Sequence, residues 1–338
     1  MDDNPYAHDD IEAAWHRADE LAIDDHNKTD ASGAHAMVGF RLWRALRALG
    51  VIHGRMLVTG IDPHELAQLP RERVQVWDGD GFGILVADIP PDRRDTSYDL
   101  DDESHDGPVE SLVDEPGSVY DVVIHNAHLA DVTVHHPDLR DHFLQNHHVS
   151  LLTGLTRTRP GGFFAALMPR EVLDDPNHGV REAIILLGDV LGTVRFPSGA
   201  LRNVAGCDNP TDLILVRRRP DQDAPTDQAA FLNVAHLLPP GGDPRGHEHL
   251  HRYYVEQPWR VLGTIDARPV LGGPPRLAIQ PHDRPLADQL SQALRRIVRS
   301  AQAQNLIAGP EPRSVDRPQP RREPPHRAEP PPGPEINL

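Results

Sequence analysis

The spacing of apolar positions changes along the chain. Val38, Leu42, Trp43, Leu46 and Leu49 recur at helical intervals, and Gly50 is the expected stop. Arg55-Met56-Leu57-Val58-Thr59 then predicts a first strand, and Val74-Gln75-Val76-Trp77 a second. Gly79-Asp80-Gly81-Phe82-Gly83 reads as a hairpin-like turn before Ile84-Leu85-Val86. Val119–Ile124 is a buried-strand run. Leu139, Phe143, Leu144, Leu151, Leu152 and Leu155 predict a helix that Arg159-Pro160-Gly161-Gly162 ends. Strands at Phe163–Met168, Gly192–Phe196 and Asp212–Val216 follow, with a helix at Val180–Leu187 between the first two. Leu286, Leu290, Leu294, Ile297, Val298 and Ala301 form one stripe of a last helix over 286–307, with Arg295, Arg296 and Arg299 off it. Strands alternating with helices predict an α/β fold, a mostly parallel sheet flanked by helices. The strands near 56–59, 119–124, 163–168, 192–196 and 211–217 should share that sheet. Ligands of such sheets bind at the carboxyl ends of the strands. Asn126-Ala127-His128-Leu129 stands at one of those ends.

Composition divides the 338 residues further. Residues 1–30 are acidic and read as an arm, 31–220 as the main domain, 221–308 as an accessory region, and the proline-rich 309–338 as a disordered tail. Tyr253, Tyr254 and Trp259 are candidates to pack the accessory region back on the main domain. The formal charge of −17 is the wrong sign for a simple non-specific DNA binder. Residues 91–118 form an acidic loop just before the strand at 119–124. One cysteine, Cys207, excludes a disulfide framework, and a cytoplasmic location is the expectation. The acidic start lacks the basic region of a signal peptide, and no apolar run is long enough to span a bilayer. Nearly all basic residues are arginine, in the manner of a GC-rich coding bias. The 21 histidines are therefore discounted, and no metal site is expected. Cys207 lacks an evident activating base and reads as a small loop residue.

Three places carry candidate chemistry. Gly60-Ile61-Asp62-Pro63 follows the first strand, where a glycine lets a ligand approach the backbone. Asp62, Pro63 and Glu65 equally fit a helix cap of the capping-box type. Asp78 follows the second strand, where an acid can bond ribose hydroxyls, or simply end the strand. Arg217-Arg218-Arg219 ends the last strand and either meets phosphates or solvates the strand end.

Tyr120–Leu129, Arg159–Gly162, Arg181–Pro197 and Asp212–Arg219 together resemble the second half of an adenine-N6 DNA methyltransferase domain. The likeness is to the methylase modules of mobile-element methylase–helicase proteins. Tyr253–Thr264 resembles the segment that follows that domain. The resemblance covers roughly residues 45 to 307 and is strong from about 119 to 264. It implies a class I S-adenosylmethionine-dependent, Rossmann-like fold and methylation of adenine N6 in DNA. Asn126 would accept the adenine amine, and an aromatic ring three residues on would stack on a flipped base. Gly60, Asp62 and Asp78 would meet S-adenosylmethionine. Here Ala127 and His128 stand in the region where that family carries proline, and Leu129 where it carries the ring. Ile61 and Pro63 add bulk to the cofactor turn. These departures imply a degenerate relative, impaired in catalysis and binding no cofactor. It would be a binding or scaffold module that meets DNA through a partner such as a helicase or active methylase. A still-active divergent methyltransferase is the alternative, and an acidic DNA-mimicking inhibitor the weaker one.

Overall fold

Seven strands form the central sheet of the computed structural model. The structure describes residues 31–69, 75–76, 82–89, 117, 119–127, 133–135, 143–201, 209–220, 228–237, 248–270 and 273–308, with single positions between 223 and 226. The N-terminal arm, Asp78, most of the acidic loop at 91–118, His128, Leu129, Cys207 and the tail from 309 lie outside the described residues. The elements are α1 (Ala31–Ala48), β1 (Arg55–Ile61), α2 (Pro63–Ala67), β2 (Gln75–Val76), β3 (Phe82–Asp88), β4 (Tyr120–Asn126), β5 (Thr133–His135) and β6 (Phe143–Gln145). After these come α3 (Asn146–Arg157), β7 (Thr158–Pro169), α4 (Glu171–Asp174), α5 (Gly179–Leu187), β8 (Gly188–Arg195) and β9 (Thr211–Arg218). The chain continues with β10 (Val234–Leu237), β11 (Glu248–His251), α6 (Arg252–Glu256), β12 (Gly263–Val270), β13 (Gly273–Pro281) and α7 (Leu286–Ala303).

The strand order is β2-β3-β1-β4-β7-β9-β8. The β1–β4 and β4–β7 pairs are parallel, while β3 and β9 run against their neighbours. Five strands therefore point one way and two the other. All five strand segments expected to share a sheet do so, and Asn126 is the last residue of β4. β2 lies outside β3 rather than beside β1. The position next to β1 belongs to β3, antiparallel to it from Arg55↔Asp88 to Ile61↔Phe82.

Both faces of the sheet are covered, which is why its central strands read as continuous apolar runs. Phe163, Ala165 and Leu167 of β7 face one core with Val38, Leu42 and Leu46 of α1 and Leu290, Leu294 and Ile297 of α7. Phe164, Ala166 and Met168 face the other core with Leu151 and Leu155 of α3 and Ile184 of α5. The stripe predicted for the last helix is the face it buries. The segment expected as an accessory region enters both cores: α7 joins the first, and Phe231, Leu250, Tyr254 and Ile279 join the second. The described residues up to Ala308 belong to one compact unit.

Two local readings are corrected. Phe143 and Leu144 lie in β6, paired with β5, and the helix begins only at Asn146. Their spacing matched a helix by coincidence, and pairing across a hairpin decided the outcome. Arg159-Pro160-Gly161-Gly162 follows the end of α3 but makes no separate turn, because it lies inside the twelve residues of β7. Tyr120 pairs with Thr158 and Val122 with Phe163, so these residues form an extended bulge. Gly161 has φ 81°, a left-handed value that glycine accommodates without strain. The Asp121 carboxylate fastens this corner. It accepts from the Arg55 backbone N–H (2.7 Å) and from the Arg159 guanidinium.

Candidate functional site

Parallel pairing of β1 with β4 sets Gly60 directly beside Asn126. The contact is so close that a Cβ on Gly60 would lie 1.9 Å from the Asn126 carbonyl oxygen, and Gly60 has φ 106°. Two reasons therefore require glycine: a left-handed backbone and a neighbouring strand with no room for a side chain. Asn126 is fully buried. Its Nδ2 donates to the Ile61 carbonyl (2.9 Å) and to His35 Nε2 (3.4 Å). His35, also fully buried, reaches in from α1, and its Nδ1 donates to Asp62 Oδ2 (2.8 Å). A chain of contacts thus runs Asp62, His35, Asn126, Ile61 across the carboxyl ends of β1 and β4.

Asp62 does not make the expected capping box. Its backbone is left-handed, at φ 48° and ψ 49°, and its side chain caps no N–H of α2. Only its carbonyl accepts from Glu65 and Leu66, since the carboxylate is turned towards His35. Pro63 does take the first position of α2.

Beside Asn126, His125 is hydrogen-bonded through Nδ1 to Thr59 Oγ1 (2.9 Å) and through Nε2 to Ser150 Oγ (3.0 Å). Burial lowers its pKa to about 4, so the ring is neutral at neutral pH. Ala127 is buried, and its backbone N–H donates to the Leu167 carbonyl (2.9 Å). His125, Asn126 and Ala127 thus fill the end of β4, each hydrogen-bonded to a neighbouring element.

The residues present do not fit the methionine end of S-adenosylmethionine. Gly60 faces Asn126 instead of a ligand, Ile61 has its carbonyl bonded to the Asn126 amide, and Asp62 is held by His35. Gly60, Asp62, Asn126 and Ala127 are thus brought together. The strand that leads to Asp78 is separated from β1 by β3.

The arginine run lies elsewhere. Arg219, buried, donates to Asp189 Oδ1 (2.8 and 3.0 Å) and to the carbonyls of Ile185, Leu186 and Gly188. Arg218 donates to the Leu187 carbonyl (2.5 Å), and Arg217 lies 3.6 Å from Asp223. Arg218 and Arg219 satisfy the last carbonyls of α5, where cations are favoured.

A second polar centre, not foreseen from the sequence, lies at the far side of the sheet. Arg195 of β8 is fully buried between two carboxylates. Its guanidinium is bidentate to Asp174 (2.7 and 3.0 Å) and to Asp212 (2.6 and 2.8 Å). Tyr254 donates its hydroxyl to Asp212 Oδ1 (2.8 Å), and its ring lies 4.4 Å from the guanidinium carbon. The His251 backbone N–H donates to Asp174 Oδ1 (2.8 Å). Burial works against the charge on Arg195, but Asp174 and Asp212 outweigh it and hold the group protonated. Burial also raises the Asp212 carboxyl to about 6 against the opposite pull of Arg195. His251 uses both ring nitrogens in its neutral form: Nε2 donates to the Phe231 carbonyl (2.8 Å) and Nδ1 accepts from Tyr253 N–H (3.3 Å). Burial lowers its pKa to about 3. Arg260 donates to the Thr193 carbonyl (3.2 Å) and stacks on Trp259 and Tyr253. The residues that carried the family resemblance around 193–197, 211–215 and 253–264 thus meet in one internal network. The available signal was an arginine inside an apolar strand, matched by an aspartate at the start of the next.

Among the described residues, no group of three or more histidine, cysteine or acidic side chains is placed to hold a metal ion, and no helix is long and apolar enough to cross a membrane.

No family model matches the chain, and no curated protein matches it. Several solved structures are similar over part of it, among them the following two. One comes from work on complex assembly and conformational transition of the type I R-M system, with 18% identity and TM-score 0.25. That match covers 30% of this chain and 22% of the other. The second is described as a class I S-adenosylmethionine-dependent methyltransferase from Listeria monocytogenes, with 18% identity and TM-score 0.25. It covers 35% of this chain and 38% of the other. Likeness at this level says nothing of what this chain binds or does.

Proposed function

We propose that this chain is a degenerate adenine-N6 DNA methyltransferase-like protein that no longer transfers methyl groups. On this reading it serves as a binding or scaffold module beside a DNA-processing partner, such as a helicase or an active methylase. One observation carries the reading. Asn126, whose side-chain oxygen would accept the adenine amine, is fully buried, and its Nδ2 is held by the Ile61 carbonyl and His35. A base could reach that oxygen only if the residues that bury it moved aside.

The register of Gly60 against Asn126 favours the second reading, an active divergent enzyme, because it keeps the first and fourth strand ends adjacent. Transfer of a labelled methyl group from S-adenosylmethionine to an adenine-containing duplex separates the two. The scaffold reading expects no incorporation by the isolated chain. Incorporation that Asn126→Ala abolishes would replace it with the second.

A further inference from the structure

A groove of ≈ 950 Å³ runs between α1 and α7, on the outside of the first core. Arg41, Arg44, Arg284, Arg295 and Arg299 line it, with Asp288 as the one acidic lining residue. None of the five arginines forms an ion pair with a carboxylate among the described residues. Their hydrogen bonds go to neutral groups: Arg41 to the Ala287 carbonyl (3.4 Å), Arg284 to Gln292 (3.4 Å) and Arg299 to the Arg295 carbonyl (3.3 Å). This contrasts with Arg195 and Arg219, which sit on buried carboxylates. From Asp288 to Gln302 the α7 wall is about 21 Å long at 1.5 Å per residue.

The chain's net charge does not describe this groove. Residues 1–30 and 91–118 each contain ten acidic and two basic residues. Together they hold −16 of the −17, so the remaining 280 residues are nearly neutral. Against that background, five arginines and one aspartate form a local positive field. Phe40 is 47% exposed at the groove's α1 edge, with the Arg41 and Arg44 guanidinium carbons 5.3 and 6.0 Å from its ring centre. An open trough with spaced guanidinium groups matches a run of phosphates better than one small anion. An exposed ring beside them offers a stacking face for an unpaired base. An acidic peptide would use the arginines but has no need of the ring.

We propose that the α1–α7 groove binds single-stranded nucleic acid. Arg41, Arg44, Arg295 and Arg299 take phosphates, and Phe40 stacks on a base. This site is separate from the Asn126 strand end and stands whether or not methyl transfer is lost. The test is fluorescence anisotropy of the full chain with a labelled oligothymidylate across salt concentrations. Four phosphate contacts predict a log–log slope of about −3, or roughly 50-fold weaker binding between about 50 and 200 mM salt. Arg295→Ala with Arg299→Ala should weaken binding about tenfold and reduce the slope by about 1.4. Phe40→Ala should weaken it about fivefold or more without changing the slope. Arg252→Ala removes a charge at an exposed site paired with Glu256, away from the groove, and should leave affinity within about twofold. All four positions are exposed, and circular dichroism melts check that the variants fold. No binding at the lowest salt would overturn the proposal. So would equal losses in the Arg252→Ala control, tighter binding of a duplex of the same length, or displacement of the oligonucleotide by a peptide of residues 1–30 at lower concentration.

Discussion

Two buried polar centres lie on the same sheet, and they differ in kind. At the carboxyl ends of β1 and β4, Asn126, His125, Thr59 and the Ile61 carbonyl are joined by single hydrogen bonds, and Asp62 at the rim touches His35. At β8 and β9, Arg195 is clamped on four carboxylate oxygens, with Tyr254 and a backbone N–H completing the set. Both lie where an α/β sheet takes its ligand, at the carboxyl ends of parallel strands: Asn126 ends β4 and Arg195 ends β8. The second ties β8, β9, α4 and α6 together. The Arg195 cluster is held by bidentate ionic pairs, whereas the Asn126 strand end is closed by single hydrogen bonds.

The comparison can be broken by substitution. Arg195→Leu would leave Asp174 and Asp212 buried without their cation. A loss of about 3–5 kcal/mol is expected from urea unfolding at neutral pH. A loss below about 1 kcal/mol would mean the cluster is not a fastener. Asn126→Ala should have a smaller effect, about 1–2 kcal/mol, because one neutral donor is lost and the Ile61 carbonyl keeps its other lone pair.

Acid sharpens the contrast further. His125 and His251 have depressed pKa values, about 4 and about 3, so each adds stability above its unfolded value of 6.5. That stability is lost as pH falls from 6.5 towards those values, because the unfolded chain binds the proton first. His125 contributes on the order of 3 kcal/mol and His251 on the order of 5 kcal/mol over those windows. His125→Asn and His251→Asn should each flatten the fall in stability between neutral pH and about pH 4.5 relative to the parent. An unchanged slope in both would remove burial as the cause. Gly60→Ala comes next, at about 2–3 kcal/mol, since strain at φ 106° adds to the clash with the Asn126 carbonyl. A neutral result there would mean that β1 and β4 separate easily.

Much of the sheet was legible because its strands are covered on both sides and so read as apolar runs at 55–59, 119–124, 163–168 and 212–216. Asn126 at a strand end was legible from the same runs. The closure over it was not. His35 makes it from 91 residues away, and a histidine in a chain with 21 of them carries little signal. The bulge at Arg159–Gly162 was read as a turn because proline and glycine mark both, and only register with β4 distinguishes them. The unity of 31–308 was hidden by the Pro/Asp-rich stretch after Pro220. The contacts that cancel it, such as Tyr254 on Asp212 and Gln302 on Ala48, are all tertiary.

On the proposed reading, Asp62, His35 and Asn126 close the turn after β1 to S-adenosylmethionine. Calorimetric titration of the full chain with S-adenosylmethionine tests it most directly. No heat beyond dilution is predicted up to about 1 mM ligand, a limit that corresponds to about 4 kcal/mol of binding free energy. A saturating isotherm at micromolar ligand, lost in Asp62→Ala, would contradict it.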